Sequence, residues 1–208
     1  MANLNNVDRK KKRFIRSIET ILPPEEVEKP ARIALASCLA LLHHVILLFM
    51  KIGIIADSHD HVDHLEYALT CLRKEGIELL LHAGDYIAPF VLRRLLKSAP
   101  EFVGVFGNND GDRVLLSKTA EGRVHPAPFE LTLPEHRIMI LHEPYGLEAI
   151  VKSGLYHLVV FGHTHEALLE RHGGTLVINP GETGGWLYGR STAALYDTEN
   201  REGRILDL

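Results

Sequence analysis

Cysteine is scarce in this 208-residue chain, which contains only Cys38 and Cys71. Two cysteines without paired spacing exclude a disulfide framework and a cysteine-based zinc site. The sequence also lacks internal repeats and low-complexity tracts, whereas hydrophobic residues make up 46% of it and charged residues 24%. This composition is that of a globular protein, and it excludes a collagen, a largely disordered chain and a multi-pass membrane protein.

Basic side chains are scarce over most of the chain. Residues 1–50 carry eight Lys and Arg against five Asp and Glu, which leaves fifteen against twenty-two for residues 51–208. Because Lys and Arg supply most non-specific affinity for nucleic acid, the acidic part predicts no general nucleic-acid binding. If the protein acts on phosphates, something other than side-chain cations has to attract them. Histidine is plentiful, since eleven of the thirteen copies follow residue 50.

Residues 1–49 are predicted to be an extension that differs from the rest of the chain. A polar segment with a basic run comes first, and a mostly apolar stretch at 33–50 follows it. Eighteen such residues are at the lower limit of a membrane-spanning helix, and His43 and His44 argue against a span. An appended helix, an anchor and a mis-assigned start all remain open. The protein is expected to be cytoplasmic, with membrane contact only if residues 33–50 form an anchor.

A folded domain is predicted over residues 50–208. Apolar residues recur at helical spacing at 62–72, 87–96 and 147–153, and apolar runs typical of strands lie between and after them. Strands are predicted at 51–56, 79–82, 102–106, 129–133, 137–141, 158–161, 167–171, 176–178 and 193–197. Strand–helix alternation followed by a strand-rich half predicts an α/β fold with two packed sheets and helices outside.

Polar side chains follow five of the predicted strands. The carboxyl ends of strands in open α/β sheets form one rim, where ligands bind. Carboxylates and imidazoles gathered there without cations would repel one another and lose hydration, so a metal centre is predicted. Imidazole and carboxylate without thiolate suit Mn, Fe, Zn, Ni or Co, and seven ligands are right for two ions. The predicted ligands are Asp57, His59, Asp85, Asn108, His142, His163 and His165.

The order of these residues, D-x-H, G-D, G-N-x-D, H and G-H-x-H, resembles that of the calcineurin-like metallophosphoesterases. The resemblance covers residues 50–208 and is strongest to the YfcE-like phosphodiesterase branch, in the stretches at 50–61, 107–110, 153–166 and 178–182. It implies a four-layer α/β/β/α sandwich of two mixed β-sheets flanked by helices. It also implies hydrolysis of a small phosphodiester by a di-metal-activated hydroxide.

The family pattern distributes the ligands over two divalent ions that share Asp85. Mn²⁺ is the expected metal, with Ni²⁺, Fe²⁺ and Zn²⁺ as alternatives. The resemblance assigns one ion to Asp57, His59, Asp85 and His165, and the other to Asp85, Asn108, His142 and His163. Asp57, Asp85, Asn108 and His142 are expected to act in catalysis through these ions.

Asn109 departs from the family pattern. Many members carry a His where this chain has Asn109, and that His protonates the leaving group or stabilises the transition state. Asn109 cannot act as a general acid, so a preference for activated phosphodiesters is expected. His61 and His82 are nearby in sequence, either as substitutes or as supports for the ligands. Asp110 is expected to orient Asn108 or Asn109.

Several alternatives remain open from the sequence. A non-catalytic binding module is one, because the retromer scaffold subunit shares the implied fold with a degraded metal site. A phosphomonoesterase is another, although the missing His and the small size argue against it. A homodimer that pairs through strand edges is a further possibility. Trp186, set among Gly184, Gly185 and Gly189, either lines a pocket or packs on a sheet edge.

Overall fold

The computed structural model describes residues 50–208, which belong to one compact unit. The predictions made for residues 1–49 lie outside the described residues. No helix within residues 50–208 is long and apolar enough to cross a membrane.

Strands and helices alternate along the first half of this unit, and strands dominate the second. The first half contains β1 (Lys51–Ile55), α1 (Val62–Lys74), β2 (Leu79–His82), α2 (Pro89–Ser98), β3 (Phe102–Val105) and α3 (Arg113–Thr119). The second half contains β4 (Val124–His125), β5 (Phe129–Leu133), β6 (His136–Ile140), α4 (Leu147–Lys152), β7 (Leu158–Val160), β8 (Ala167–His172), β9 (Thr175–Pro180), β10 (Thr192–Asp197) and β11 (Glu202–Asp207).

The strands form two mixed sheets. The six-stranded sheet has the order β11-β10-β1-β2-β3-β4, in which β1 to β4 are parallel and β10 is antiparallel to both neighbours. The five-stranded sheet has the order β5-β6-β7-β9-β8, with β6, β7 and β9 parallel and an antiparallel strand at each edge. The carboxyl ends of parallel strands lie at one edge of a sheet, so each sheet has an edge suited to a ligand-binding site.

Helices cover the outer face of the six-stranded sheet. The apolar stripe of α1, which includes Leu65, Leu69 and Leu72, packs in one cluster with Ile55 of β1 and Leu80 of β2. These side chains are fully buried, and each contributes about 1.5–3 kcal/mol through removal of its apolar surface from water. The three-to-four residue spacing therefore predicted both the helix and its buried face.

The inner layer lies between the two sheets. Side chains alternate between the faces of a strand, so Ile52 and Ile54 point away from the helices that Ile55 contacts. The two sheets meet closely at Gly203, where an added Cβ would lie 2.9 Å from side-chain atoms of Ile178 and Leu176. Helix α4 packs on the outer face of the second sheet. The predicted four-layer α/β/β/α sandwich is confirmed.

Candidate metal centre

The seven predicted ligands lie in loops at the carboxyl ends of five parallel strands. Asp57 and His59 follow β1, Asp85 follows β2 and Asn108 follows β3, all in the six-stranded sheet. The remaining three come from the five-stranded sheet, where His142 follows β6 and both His163 and His165 follow β7. The site therefore joins the rims of both sheets, and the structure brings all seven side chains together.

The backbone of these loops is unusual, because ligand residues repeatedly adopt left-handed conformations. Five of the seven have positive φ, namely Asp57 (51°), His59 (40°), Asp85 (62°), His163 (69°) and His165 (61°). A residue with a Cβ is disfavoured there by about 1–2 kcal/mol, and such strain concentrates at functional sites. The surrounding fold holds the ligand loops in place against this cost.

The first cluster gathers around Asp57. Its Oδ1 lies 3.8 Å from His59 Nε2 and 3.6 Å from His165 Nε2. His59 Nε2 lies 3.6 Å from Asp85 Oδ2. Atoms that bind one ion at about 2.0–2.2 Å lie roughly 3–3.5 Å apart, so these four side chains are close to the spacing of a shared cation.

The second cluster gathers around Asn108. Its Oδ1 lies 2.7 Å from His142 Nε2 and 2.9 Å from His163 Nδ1. His142 Nε2 lies 3.5 Å from Asp85 Oδ2, the same oxygen that faces His59 in the first cluster. Asp85 is therefore common to both clusters, while His163 and His165 belong to different ones.

The protonation of His142 favours a cation in the second cluster. His142 Nδ1 lies 2.7 Å from the carbonyl oxygen of Ala83, so this nitrogen carries the proton and donates it. When a cation is bound, the ring is neutral and Nε2 would present its lone pair to it, beside Asn108 Oδ1 and the Asp85 carboxylate. Three acceptors that face one point repel one another, and a cation between them removes the repulsion.

The first cluster has the same deficit of positive charge. Asp57 is fully buried, and burial first, then the charge of Asp85, raises its pKa to about 8. Burial also lowers the pKa of His59, so this ring is poorly placed to supply a cation itself. Within residues 50–208, Asp57 Oδ1 and His59 Nε2 are buried and have no hydrogen-bond partner. A divalent cation would satisfy both atoms, and the residues present fit one.

Comparison with known proteins agrees with this geometry. Residues 50–201 match the family model described as the calcineurin-like phosphoesterase superfamily domain. The chain belongs to the calcineurin-like phosphoesterase superfamily. It is 35% identical over 165 residues to phosphodiesterase MJ0936 of Methanocaldococcus jannaschii, which covers 76% of this chain and 99% of that protein.

Solved structures of superfamily members and related folds are also similar. One was determined in the structural and functional characterization of a novel archaeal phosphodiesterase, with 35% identity, a TM-score of 0.71, and coverage of 76% of this chain and 100% of that one. The phosphoesterase YfcE of E. coli has 21% identity, a TM-score of 0.52 and coverage of 76% and 98%. Vacuolar Protein Sorting 29 of Cryptosporidium parvum has 17% identity, a TM-score of 0.56 and coverage of 77% and 97%. The last two are similar in fold alone.

Asn109, which the family resemblance sets in place of a catalytic His, contacts Asp85. Its backbone N–H donates to Asp85 Oδ1 at 2.9 Å, and its side-chain Nδ2 donates to Asp85 Oδ2 at 2.7 Å. Both oxygens of the carboxylate that the two clusters share are thus held by one residue. The amide has no titratable proton, so Asn109 can position and donate hydrogen bonds but cannot protonate a leaving group.

Of the two histidines suggested as substitutes, His82 has surroundings that argue against the role of that acid. His82 is fully buried, and its ring accepts from Gly84 N–H at Nδ1 and lies 3.2 Å from Ser58 Oγ at Nε2. Burial lowers the pKa of His82 to about 3, so the ring is neutral and supports the loops. His61 accepts from the N–H of His64 at the start of α1, where the two rings stack.

Asp110 differs from its predicted role. It was expected to orient the side chain of Asn108 or Asn109, but its buried carboxylate instead accepts hydrogen bonds from backbone N–H groups. The donors are Asp85, Tyr86, Ile87 and Gly107. Asp110 therefore fixes the loop that carries Asp85, and it does so across 23 to 25 residues of sequence for three of the four bonds.

The sequence assigned no role to Glu182, and it gave Trp186 two alternative ones. Glu182 is 1% exposed, with Oε1 3.2 Å from Nδ1 of His165. Trp186 donates its indole N–H to the backbone carbonyl of His59 at 3.1 Å. Both lie after β9, in the stretch that the family resemblance includes at 178–182 and just beyond it. The sequence offered an acidic residue beside a glycine, but nothing that placed it against His165.

Proposed function

We propose that residues 50–208 form the catalytic domain of a metal-dependent phosphodiesterase. The observation that carries this proposal is the pair of ligand clusters that meet at Asp85 Oδ2. Two cations held about 3.5–4 Å apart by a shared carboxylate are typical of enzymes that hydrolyse phosphate esters. The similarity to a protein named phosphodiesterase supports the diester as the substrate class.

The proposed ligand sets follow the two clusters. Asp57, His59, Asp85 and His165 would hold one divalent ion, and Asp85, Asn108, His142 and His163 would hold the other. When bound, the ions supply Lewis-acid chemistry, which lowers the pKa of water and neutralises charge that develops on phosphate oxygens. Mn²⁺ is the proposed metal, with Ni²⁺, Fe²⁺ and Zn²⁺ as alternatives.

The protein's own residues orient this chemistry. The Ala83 carbonyl fixes the tautomer of His142, and Asp110 fixes the backbone on either side of Asp85. Asn109 holds the shared carboxylate and supplies no proton to the leaving group. Esters whose leaving group is stable as an anion are therefore the better substrates, and the expected preference for activated phosphodiesters follows.

The experiment compares the full chain with Asp85→Asn on bis-p-nitrophenyl phosphate and p-nitrophenyl phosphate, with and without added Mn²⁺. Asp63→Asn, which removes an exposed carboxylate on α1, is the matched control. Loss of shared metal binding removes several kcal/mol of transition-state stabilisation, so Asp85→Asn should lose about a thousandfold in kcat/KM on the diester. The control should keep its activity, and circular dichroism checks that both variants fold.

Each of the other outcomes would favour one of the alternative functions. Faster hydrolysis of the monoester would assign a phosphomonoesterase. If the folded protein hydrolyses neither ester with any of the four metals, the proposal of an enzyme is overturned and a non-catalytic binding module is favoured. The homodimer and the cytoplasmic location stay predictions.

A further inference from the structure

The segment between β9 and β10 is fixed to the loop that carries Asp57 and His59. Backbone N–H groups of Thr183 and Gly184 donate to the carbonyl oxygens of Ala56 and Asp57 at 3.0 and 3.1 Å. The Gly184 carbonyl lies 2.8 Å from Nδ1 of His64. These contacts hold the segment beside the first ligand cluster, so its side chains have defined positions relative to that cluster.

Trp186 extends from this segment with one face open. Its indole N–H donates to the His59 carbonyl, and its ring lies 4.8 Å from the ring of His61 at a tilt of 44°. His61 in turn stacks on His64 at 3.8 Å and 13°. The indole is nevertheless 61% exposed. Hydrogen bonding and ring packing thus fix its orientation while most of its surface remains in water.

The same segment also reaches the other histidine of the first cluster. The Leu187 N–H donates to Glu182 Oε2 at 2.9 Å, and Glu182 Oε1 lies 3.2 Å from His165 Nδ1. Trp186 is therefore bonded directly to His59, and Leu187 is linked through Glu182 to His165. The indole is thus bonded to the backbone of a predicted metal ligand, on the loop that carries the first cluster.

Folding does not account for the exposure of this side chain. A tryptophan buries up to about 250 Å² when it packs in a core, and Trp186 forgoes most of that burial. The adjacent Leu187 and Tyr188 are 65% and 60% exposed. An oriented indole with an open face is instead a stacking platform, and stacking of a base on an aromatic side chain contributes about 1–3 kcal/mol.

We propose that the open face of Trp186 is the subsite for a flat aromatic ring on the substrate, and that the substrate class is nucleoside phosphodiesters. The inference rests on the proposed phosphodiesterase function and specifies its substrate. Flat rings suit the indole because every nucleobase has a face that stacks, whatever its hydrogen-bonding edge. The excess of Asp and Glu over Lys and Arg in residues 51–208 favours recognition through the ring and the metals.

The chain contains a single tryptophan, so fluorescence excited at a wavelength that tyrosine does not absorb reports on Trp186 alone. The metal-loaded full chain is titrated with adenosine 5′-monophosphate, ribose 5-phosphate and phenyl phosphate, which share the phosphate and differ in the ring. Adenosine 5′-monophosphate should quench the indole strongly and ribose 5-phosphate should not. Quenching by phenyl phosphate but not by the nucleotide would overturn the nucleoside assignment and indicate simple aryl phosphodiesters as the substrate class. Equal quenching by nucleotide and ribose phosphate would overturn the subsite.

Substitution separates the ring from its hydrogen bond. Trp186→Leu and Trp186→Phe both remove the indole N–H, but only Trp186→Phe keeps a ring. Trp186→Leu should weaken inhibition of diester hydrolysis by adenosine 5′-monophosphate about 5- to 150-fold, with ribose 5-phosphate unchanged. Trp186→Phe should recover most of that loss, and Tyr67→Leu, an exposed aromatic on α1, should lose nothing.

The two proposals fail in different ways. If the chain hydrolyses no diester, the fluorescence titration still tests the stacking subsite, because it needs only binding. Hydrolysis could be metal-dependent while Trp186→Leu weakens inhibition by adenosine 5′-monophosphate and by ribose 5-phosphate equally. The phosphodiesterase proposal would then stand, and the ring subsite would be wrong.

Discussion

Glu182 Oε1 lies 3.2 Å from His165 Nδ1, while the opposite ring nitrogen of His165, Nε2, lies 3.6 Å from Asp57 Oδ1. One imidazole thus stands between a buried carboxylate and the first ligand cluster. Neither Glu182 Oε1 nor His165 Nδ1 has another hydrogen-bond partner within the described part of the chain. A carboxylate behind a histidine ligand fixes the ring and makes its other nitrogen a better donor to a metal.

Glu182→Ala should therefore weaken metal binding at the first cluster. Loss of such a supporting carboxylate typically reduces metal affinity about 10- to 100-fold. Glu182→Gln keeps an oxygen that can accept from His165 and should lose less. Titration calorimetry with Mn²⁺ measures the affinity, and Glu170→Ala, an exposed Glu on β8, is the control. Equal affinities in all four proteins would show that Glu182 has no role at the metal.

Metal removal should destabilise the protein, and more so as pH rises. Without metal, the folded Asp57 holds its proton up to about pH 8, whereas the unfolded residue releases it near 3.8. The folded state then binds more protons, so stability of the metal-free protein falls as pH rises through this window. A divalent ion bound at Asp57 would displace this proton and restore the lost stability.

Thermal unfolding in EDTA and in Mn²⁺, at pH values between about 5 and 8, measures this effect. The difference in Tm between the two conditions should widen with pH. Asp57→Asn should raise the Tm of the metal-free protein at high pH by several degrees and reduce the shift on metal addition, because the second cluster keeps its ligands. A Tm difference that is constant with pH would contradict the assignment of the displaced proton to Asp57.

Asn109→His should broaden the range of leaving groups. An imidazole at this position supplies a titratable proton, and positioned acids contribute about 10²–10⁴-fold in rate where the leaving group is poor. The gain should be largest for alkyl esters and smallest for p-nitrophenyl esters. Measurement of kcat/KM across phenyl esters of increasing leaving-group pKa checks this, because the slope should become shallower. An unchanged slope would mean that the new ring does not reach the leaving oxygen.

His82 should make the protein acid-sensitive. Its folded pKa of about 3 lies well below the ordinary 6.5, so the unfolded state binds the extra proton between these values. Stability is therefore lost as pH falls below 6.5, at up to about 1.4 kcal/mol per pH unit. His82→Gln lacks this loss, so its free energy of unfolding relative to the wild type should be about 2–3 kcal/mol more favourable at a pH of about 4.5 than above a pH of about 6.5. Urea unfolding measures it, with exposed His172→Gln expected to show no such gain.

For the central strands of the six-stranded sheet and for α1, the success of the sequence predictions depended on burial. Strands β1, β2 and β3 are buried on almost every residue and read as apolar runs, and α1 has a clear apolar stripe. The missed elements lack such a signal. Helix α3 buries only Leu116, β4 has two residues, and β11 is an edge strand with no buried residue. Their pairing and packing partners, rather than their own residues, determine their structure.

The sequence by itself determined the ligand types and their order. Each ligand follows an apolar strand, and the end of that strand is recognisable because the apolar run stops at polar residues. Only the tertiary structure decided which ligands share a cluster, and that Asp110 and Glu182 support them. Those contacts join loops from two sheets, from Asp57 to His165 and from Asn108 to His163. Such distances depend on strand register and on how the two sheets pack, which no local pattern of residues specifies.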